Sequence, residues 1–412
     1  MIHKNSIKIL NFYSGRFFCT TVILTTEAGE WLITLELDER RLSTVQAKRR
    51  KSMKRILVSI FLAVLVLSTA FAGGKQESTS SKIVIGALIR NLDEQFLADY
   101  TANLKDLATK AGVELKVLDS RSDQAMQLDQ LNLLLTQGVK HFIIIPNQTE
   151  ATEQMTKAIQ AKGGTAVFSN TPPSAAALKV GKNFFLADSA QSVAGYMQAQ
   201  IIDEYFTKYP ERLGPGKTLN ALMILGQLGH PAQIARSEGL AKGLSERGYK
   251  LNVLAQDTAN WKPDEAQQKM DAWISAFNGK FNIVIAQNDG MALGAVESML
   301  TTKYTKSDTS DGTMLKVPVI GVDATQVALK SISENKLYAT VLQDSIGIST
   351  TAFGLAKALA SGTYQAGMEV NGIKPLAAVI SDPPANDPAV IGQCYLVPFT
   401  PVTKENYKQF MK

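Results

Sequence analysis

The chain has 412 residues, of which 45% are hydrophobic and 19% charged, so it is long enough for one or two globular domains. Its formal charge of +6 comes from the first 72 residues, which contain eleven Lys/Arg and five Asp/Glu. The remaining 340 residues carry 32 basic and 32 acidic groups, and this neutral balance excludes the broad positive face of a nucleic-acid-binding protein.

The first 52 residues precede a segment that has the features of an export signal, although such signals normally stand at the extreme N-terminus. We interpret residues 1–52 as an upstream extension that is either unstructured or not part of the natural translation product, with Met53 as the true start. An unusually long leader is the alternative. Neither interpretation gives the extension a function.

A secretory signal peptide is predicted at residues 53–72. Met53-Lys54-Arg55 is followed by the apolar run Ile56–Leu67 and then by Ala70-Phe71-Ala72, which has the small-x-small pattern of a cleavage site. The apolar run is shorter than the roughly 20 residues that span a bilayer. We therefore predict cleavage after Ala72, export to the periplasm, and a short linker at residues 73–81.

From Lys82 onward, short β-branched runs alternate with segments of helical period. Runs such as Phe142–Ile145 are apolar throughout, which is typical of parallel strands covered by helices on both faces. The predicted strands are Ile83–Ile89, Leu115–Asp119, His141–Pro146, Ala166–Asn170, Phe184–Asp188, Leu219–Gly226, Leu251–Gln256, Ile283–Asn288, Val317–Asp323 and Tyr338–Asp344. This alternation over about 300 residues predicts the α/β class, with two doubly wound parallel sheets.

The cysteine and histidine content limits metal chemistry in this α/β body. The chain contains only Cys19 and Cys394, so residues 73–412 can form no intrachain disulfide or cysteine-rich metal site. The three histidines, His3, His141 and His230, are too few for a multi-histidine centre. The sequence therefore predicts neither a metal nor a cofactor.

Polar and aromatic side chains follow the ends of the predicted strands, which is where ligands bind in open parallel sheets. The candidates are Phe96, Asn170, His230, Arg236, Trp261, Asn288, Asp323 and Gln343. Amides donate and accept hydrogen bonds, carboxylates accept them and a guanidinium donates them in a fork, so this set suits a polyol. Aromatic rings suit the apolar faces of a pyranose. The set predicts a sugar-binding site.

Several candidates also have a purely structural interpretation. His230 in a Gly-His-Pro sequence suits a turn, and Arg236 lies in a helical segment where it suits a solvated face. Asp323 and Asn288-Asp289 suit helix N-caps, with Asp289 the better candidate of the adjacent pair. Trp261 lies outside the apolar stripe of the following helix, so we predict that it faces the ligand.

Five motifs carry a family resemblance: Gly229–Arg236, Asp257–Trp261, Lys269–Trp273, Asn288–Ala292 and Gly321–Ala324. With these motifs, residues 82–412 resemble the periplasmic galactose/glucose-binding proteins of the type I periplasmic binding protein family. The resemblance implies two doubly wound lobes joined by a three-strand hinge. It divides the chain into an N-terminal lobe, 82–187 plus about 345–385, and a C-terminal lobe, 188–344 plus about 386–412.

The resemblance also implies roles for single residues. Phe96 and Trp261 match the two rings that hold the sugar between them. The polar partners that match are Asn170, His230, Arg236, Asn288 and Asp323. Glu94 stands where the family has an aspartate, and Gln343 stands where it has an asparagine. Ala232 replaces a second aspartate, so we expect Arg236 to lack one orienting partner and the range of ligands to differ.

The loop that binds calcium in many family members differs strongly here. Residues 212–220 offer no carboxylate at the expected positions and add the cations Arg212 and Lys217. Asn282 replaces the distant glutamate that completes such a site. Because a hard cation requires several charged oxygens, we predict no structural calcium.

The sequence thus predicts an exported, monomeric, non-enzymatic binding protein that closes on a monosaccharide and delivers it to the permease subunits of an ABC importer. Glucose is the first expected ligand and galactose the second, while ribose, modified sugars and a sensory role through a chemoreceptor stay open as alternatives. A sugar-responsive repressor would need a helix-turn-helix in place of an export signal. A glycosidase would need one carboxylic acid of raised pKa, and nothing in the sequence marks Glu94 or Asp323 as such.

Overall fold

The computed structural model describes residues 6–14, 17–26, 29–38 and 82–412. The chain divides into two compact units, Met1–Ser80 and Ser81–Lys412. The predicted signal peptide at 53–72 and the predicted linker at 73–81 lie outside the described residues. Within the described ranges, no helix is both long and apolar enough to cross a membrane.

The described part of the first unit is an antiparallel meander of three strands. β1 (Ser6–Ser14) pairs with β2 (Phe17–Thr26), and β2 pairs with β3 (Gly29–Asp38). The first two segments are rich in β-branched and aromatic residues, which favour extended backbone. The interpretation of residues 1–52 as unstructured is therefore wrong for these three segments.

The first half of the second unit alternates strand and helix around a six-stranded sheet of order β14-β8-β7-β6-β4-β5. Every pairing in this sheet is parallel. Its elements up to the last helix before the next sheet are β4 (Val84–Ile89), α1 (Gln95–Ala111), β5 (Glu114–Asp119), α2 (Gln124–Thr136), β6 (His141–Ile144), α3 (Thr152–Ala161), β7 (Thr165–Phe168), α4 (Ala175–Lys179), β8 (Phe184–Asp188) and α5 (Gln191–Lys208).

The second half forms a four-stranded parallel sheet of order β10-β9-β11-β12. Its elements, followed by those that close the chain, are β9 (Thr218–Leu225), α6 (Pro231–Glu246), β10 (Lys250–Thr258), α7 (Pro263–Phe277), β11 (Ile283–Ala286), α8 (Asp289–Thr301), β12 (Val319–Ile320), α9 (Gln326–Ser333), β13 (Thr340–Leu342), α10 (Ser345–Ala360), β14 (Cys394–Leu396) and β15 (Thr400–Val402). These two parallel sheets with helices between their strands confirm the predicted α/β class.

Both faces of central parallel strands such as β6 and β9 are buried, as their continuous apolar runs predict. In β6, Ile143 packs into the cluster that contains α1 and α10, while Phe142 and Ile144 pack into the cluster on the opposite face. In β9, Leu222 and Ile224 likewise face one core and their neighbours face another. Because all strands of a sheet run in the same direction, their carboxyl ends share one edge, and that edge carries the polar residues.

Two predictions about the end of the chain need correction. β14 pairs with β8 of the six-stranded sheet, whereas β15 pairs with β13. The segment 386–412, expected to lie wholly in the second lobe, is therefore divided between two sheets. The predicted strand Val317–Asp323 shortens to β12, and Asp323 pairs through an isolated parallel bridge with Leu342 instead of with β11.

Candidate ligand-binding site

A cavity of about 600 Å³ lies beyond the carboxyl ends of strands from both large sheets. All nine predicted site residues line it: Glu94, Phe96, Asn170, His230, Arg236, Trp261, Asn288, Asp323 and Gln343. Glu94, Phe96 and Asn170 follow strands of the six-stranded sheet, and the others follow strands of the second half of the unit. The structure thus brings together, around one cavity, residues that are up to 249 positions apart in sequence.

Two aromatic rings contribute to the wall of this cavity. Phe96 lies in the first turn of α1 and is 8% exposed, while Trp261 lies between β10 and α7 and is 7% exposed. Trp261 has a φ of 68°, in the left-handed region, so its backbone is held by its surroundings. A Cβ atom on Gly226 would lie 2.0 Å from Cη2 of Trp261. The absence of a side chain at position 226 therefore makes room for the indole ring.

His230 performs two structural tasks at the rim of the cavity. It is the N-cap of α6, where its Nδ1 accepts a hydrogen bond from the backbone N–H of Ala232 at 3.1 Å. Nδ1 therefore lacks a proton, and the Nε2–H of the neutral ring can donate to Oγ1 of Thr171 at 3.2 Å. Burial lowers the pKa of His230 well below its usual value, and the guanidinium groups of Arg90 and Arg236 lower it further. We therefore assign His230 as neutral.

Arg236 is buried, with 3% exposure, and is held by amides rather than by a carboxylate. Its Nε and Nη2 donate to Oε1 of Gln191 at 3.0 and 2.8 Å, and Nη2 also donates to Oε1 of Gln343 at 2.8 Å. Nη1 donates to the backbone oxygen of Gln287. Ala232 provides Arg236 with no hydrogen bond, and the side chains of Gln191 and Gln343 orient the guanidinium instead. That the range of ligands differs stays a prediction.

Two carboxyl groups that line the cavity have raised pKa values. For Asp323 the largest cause is burial, with Asp289 and Glu94 adding repulsion and Arg236 opposing the shift. For Glu94 burial also dominates, although Nη2 of Arg90 lies 2.7 Å from its Oε2 and lowers its pKa. Asp323 is not a helix cap, because Thr325 caps α9. Its carboxyl group is left to accept hydrogen bonds from a ligand.

The amides divide their hydrogen bonds between the fold and the cavity. Asn288 caps α8 through Met291, and its Nδ2 donates to the backbone oxygen of Trp261 at 3.1 Å. Asp289, expected to be the better cap, is instead fully buried and accepts from Oγ1 of Thr340 at 2.6 Å. The expected cap assignment is wrong because the buried threonines provide Asp289 with partners.

Sequence reasoning missed several residues that shape the site. Arg90 lines the cavity, is 3% exposed and directly follows β4, so its position at a strand end is a signal that could have identified it. Gln191 begins α5 and contacts the cavity only through Arg236, so no local pattern marks it. Asp188, at the end of β8, is buried beside Gln343, with Nε2 of that amide 3.5 Å from its Oδ1.

The loop at residues 212–220, where the sequence predicts no calcium site, forms hydrogen bonds with Asn282. Oδ1 of Asn282 accepts from the backbone N–H of Asn220 at 2.8 Å, and its Nδ2 donates to the backbone oxygen of Arg212 at 3.1 Å. In the part of the chain that the structure describes, no cluster of three or more His, Cys, Asp or Glu residues could hold a metal. That calcium does not bind stays a prediction.

Comparison with known proteins gives a consistent family relationship. The periplasmic binding protein domain family matches residues 85–363. The D-galactose/methyl-galactoside binding periplasmic protein of Haemophilus influenzae is 30% identical over 304 residues, which cover 72% of this chain and 88% of that protein. The xylitol-binding protein of Mycolicibacterium smegmatis is 29% identical over 297 residues, which cover 71% and 77%.

Solved structures give the same relationship. An ABC transporter solute binding protein from Bacillus halodurans with bound myo-inositol is 25% identical to this chain. The superposition has a TM-score of 0.62 and covers 81% of this chain and 98% of that one.

Proposed function

Because the chain belongs to the periplasmic binding protein domain family, we propose that it captures a monosaccharide in the cavity between its two large sheets and delivers it to an ABC importer. The observation that carries this proposal is the shared lining of one cavity by Phe96, Trp261 and a set of buried hydrogen-bonding groups. In this proposal the protein is a binding component without catalytic activity and acts in the periplasm after export.

The contacts of each polar group suggest what it offers a ligand. Asp323 accepts hydrogen bonds from sugar hydroxyl groups, and the remaining N–H of Nη1 on Arg236 donates to a hydroxyl or ring oxygen. Asn170, two residues after the end of β7, has a φ of 58° and lines the cavity. A sugar held in this way excludes water from Arg236 and Asp323, which strengthens each hydrogen bond.

Closure of the cavity is the proposed response to the ligand. The lining residues follow strands of two separate halves of the unit, so a sugar that contacts both halves binds a closed arrangement better and shifts the population toward it. Aromatic contact and several buried hydrogen bonds support a dissociation constant on the order of 1 µM, about −8 kcal/mol. The hinge and the lobe boundaries given above are part of this proposal.

Glucose and galactose are the first candidate ligands, supported by the aromatic pair and by the galactoside-binding relative. A polyol or cyclitol is the second candidate, supported by relatives whose names or bound ligands are xylitol and myo-inositol. The specific observation in its favour is Ala232, which lines the cavity without a hydrogen-bonding group next to Arg236. The family resemblance implies that the aspartate replaced by Ala232 contacts the anomeric region of the sugar, so a ligand without an anomeric hydroxyl group loses nothing at that position.

A thermal-shift screen tests the proposal. The purified protein is heated with D-glucose, D-galactose, D-ribose, xylitol or myo-inositol, and a ligand that binds only the folded state raises the melting temperature in a concentration-dependent way. We expect a saturable rise with at least one of them, and for the same compound on Trp261→Ala a smaller rise at each concentration. No rise with any of the five compounds would contradict the proposal, and release of free sugar from a glycoside would contradict its non-enzymatic part.

A further inference from the structure

A second cavity, of about 460 Å³, lies at the opposite end of the four-stranded sheet from the proposed sugar site. Asn220 near the start of β9, Asn282 just before β11 and Pro318 just before β12 contribute to its lining. These positions are at the amino ends of the strands, whereas the sugar site lies at their carboxyl ends. The two cavities have no lining residue in common.

Four cations line this second cavity: Arg212, Lys280, Lys306 and Lys316. Arg212 and Lys306 both pair with Oδ2 of Asp311, whose side chain is fully buried, and Lys306 does so at 2.5 Å. The exposed carboxylate of Glu211 lies 3.7 Å from Nε of Arg212. The carboxylates of Asp311 and Glu211 therefore compensate the charges of Arg212 and Lys306.

The other two cations have no such partners. Lys280 and Lys316 are exposed, and neither has a salt bridge to a carboxylate among residues 82–412. Nζ of Lys316 lies 4.6 Å from the centre of the Tyr304 ring, which holds the ammonium group near the cavity without neutralising it. The lining therefore has a surplus of two positive charges.

The floor of the cavity is fixed in place by hydrogen bonds. Asn282 joins the backbone of Arg212 to that of Asn220, through bonds of 3.1 and 2.8 Å. Arg212 also donates to the hydroxyl group of Tyr205, which itself donates to Asp311 at 2.9 Å. Arg212 is thereby pre-ordered, and a preformed guanidinium beside exposed ammonium groups is a favourable arrangement for an oxyanion.

We propose that this cavity is a second binding site, which takes a small phosphate-type oxyanion. Arg212 and Lys306 provide the fixed base of the site, already compensated by Asp311. Lys280 and Lys316 provide the two uncompensated charges that a dianion neutralises. The site is independent of the sugar site, so its occupancy does not require sugar to be bound.

Titration of the exported protein with inorganic phosphate at constant ionic strength tests this proposal, with binding measured by calorimetry or by amide chemical shifts. We expect saturable binding that the double variant K280Q/K316Q weakens by about tenfold, because two exposed charge contacts are lost. Both substituted residues are exposed and neither has a salt bridge within residues 82–412, so the fold is expected to persist. Unchanged sugar-induced stabilisation of the variant checks this.

Lys242→Gln is the matched control, because Lys242 is an exposed lysine on α6 that lines neither cavity. Its phosphate affinity should equal that of the wild type. Vesicles of phosphatidylglycerol, compared with vesicles of phosphatidylcholine, test a lipid headgroup as the source of the oxyanion. Binding to neither phosphate nor anionic vesicles overturns the proposal, as does binding that K280Q/K316Q leaves unchanged.

Discussion

Gly226, the residue after β9, lies against the indole ring of Trp261, which follows β10, so closely that a Cβ atom at position 226 would fall 2.0 Å from Cη2. Gly226 is not in the left-handed region, so its importance comes from space and not from backbone freedom. Nδ2 of Asn288 donates a hydrogen bond to the backbone oxygen of the same tryptophan. The position of one wall of the proposed sugar site therefore depends on two residues that follow the neighbouring strands β9 and β11.

Gly226→Ala should displace Trp261 and weaken sugar binding by about tenfold or more, because the added methyl group cannot be accommodated without moving the ring. The measurement is a calorimetric titration with the best ligand of the screen. Gly392→Ala is the matched control, since a Cβ atom there would meet nothing within 4 Å. Equal affinity for the two variants would show that the ring position does not matter for binding.

Trp261→Ala should reduce affinity more than any other single substitution in the cavity, by about 2–3 kcal/mol, because it removes a buried aromatic contact. Trp261→Phe keeps an aromatic face and should lose less. Dissociation constants for both variants, measured by titration, check this order. An alanine variant that binds as well as the phenylalanine variant would contradict a stacking role.

Gln191→Ala should lower sugar affinity by about tenfold, because Arg236 loses the oxygen that accepts from both Nε and Nη2. Gln191→Glu keeps that oxygen and should retain more of the affinity. Gln200→Ala, on the same helix but directed at Glu204, is the control and should bind like the wild type. If Gln191→Ala and Gln200→Ala bind equally well, Gln191 does not position the guanidinium.

The stability of the protein should fall as pH rises from about 5 to 8. Burial, with repulsion from Asp382, raises the pKa of Asp188 from 3.8 to about 7, although Arg236 opposes the shift. The folded state therefore holds this proton more tightly than the unfolded chain does, and the resulting stabilisation is lost as the pH rises through 7. The loss from this one group is on the order of 2 kcal/mol.

Asp188→Asn should therefore reduce the decrease in the free energy of unfolding between pH 5 and pH 8, as measured by urea denaturation. It should not remove the decrease completely, because burial also raises the pKa of Asp289 to about 7. Substitution of the exposed Asp129 by asparagine should leave the decrease at its wild-type size. A wild-type protein that gains stability over this pH range would contradict the assignment.

Calcium should leave the melting temperature unchanged at millimolar concentration, and so should its removal by EDTA. The loop at residues 212–220 lacks carboxylates, and Asn282 is engaged with the backbone of Arg212 and Asn220. A hard cation requires several charged oxygens, which this loop does not supply. A rise in melting temperature at micromolar calcium would overturn this prediction.

The regular part of the fold could be predicted from the sequence because local pattern and burial agree there. Predicted and observed strand boundaries are identical at Phe184–Asp188, where five consecutive residues are buried. β14 was missed because it has only three residues and pairs with β8 across about 200 positions. β12 was predicted too long, because an apolar run does not reveal that only Val319 and Ile320 pair with β11 while Asp323 forms a bridge with Leu342.

The sequence identified site residues that follow the ends of strands. It did not identify residues that act by forming hydrogen bonds with other site residues. Phe96 and Trp261 were singled out from their positions and line the same cavity, although their contact with a sugar stays a prediction. The support of Arg236 by Gln191 could not be foreseen, because the two residues are 45 positions apart and lie on different helices. Arg90 was missed although it directly follows β4 and therefore stands at a strand end.

A crystal structure of the protein with the ligand that stabilises it most tests the central claim directly. We predict one ligand molecule per chain, with its ring between Phe96 and Trp261 and its hydroxyl groups within hydrogen-bond distance of Arg236 and Asp323. A ligand bound elsewhere, or one that touches neither aromatic ring, would contradict it.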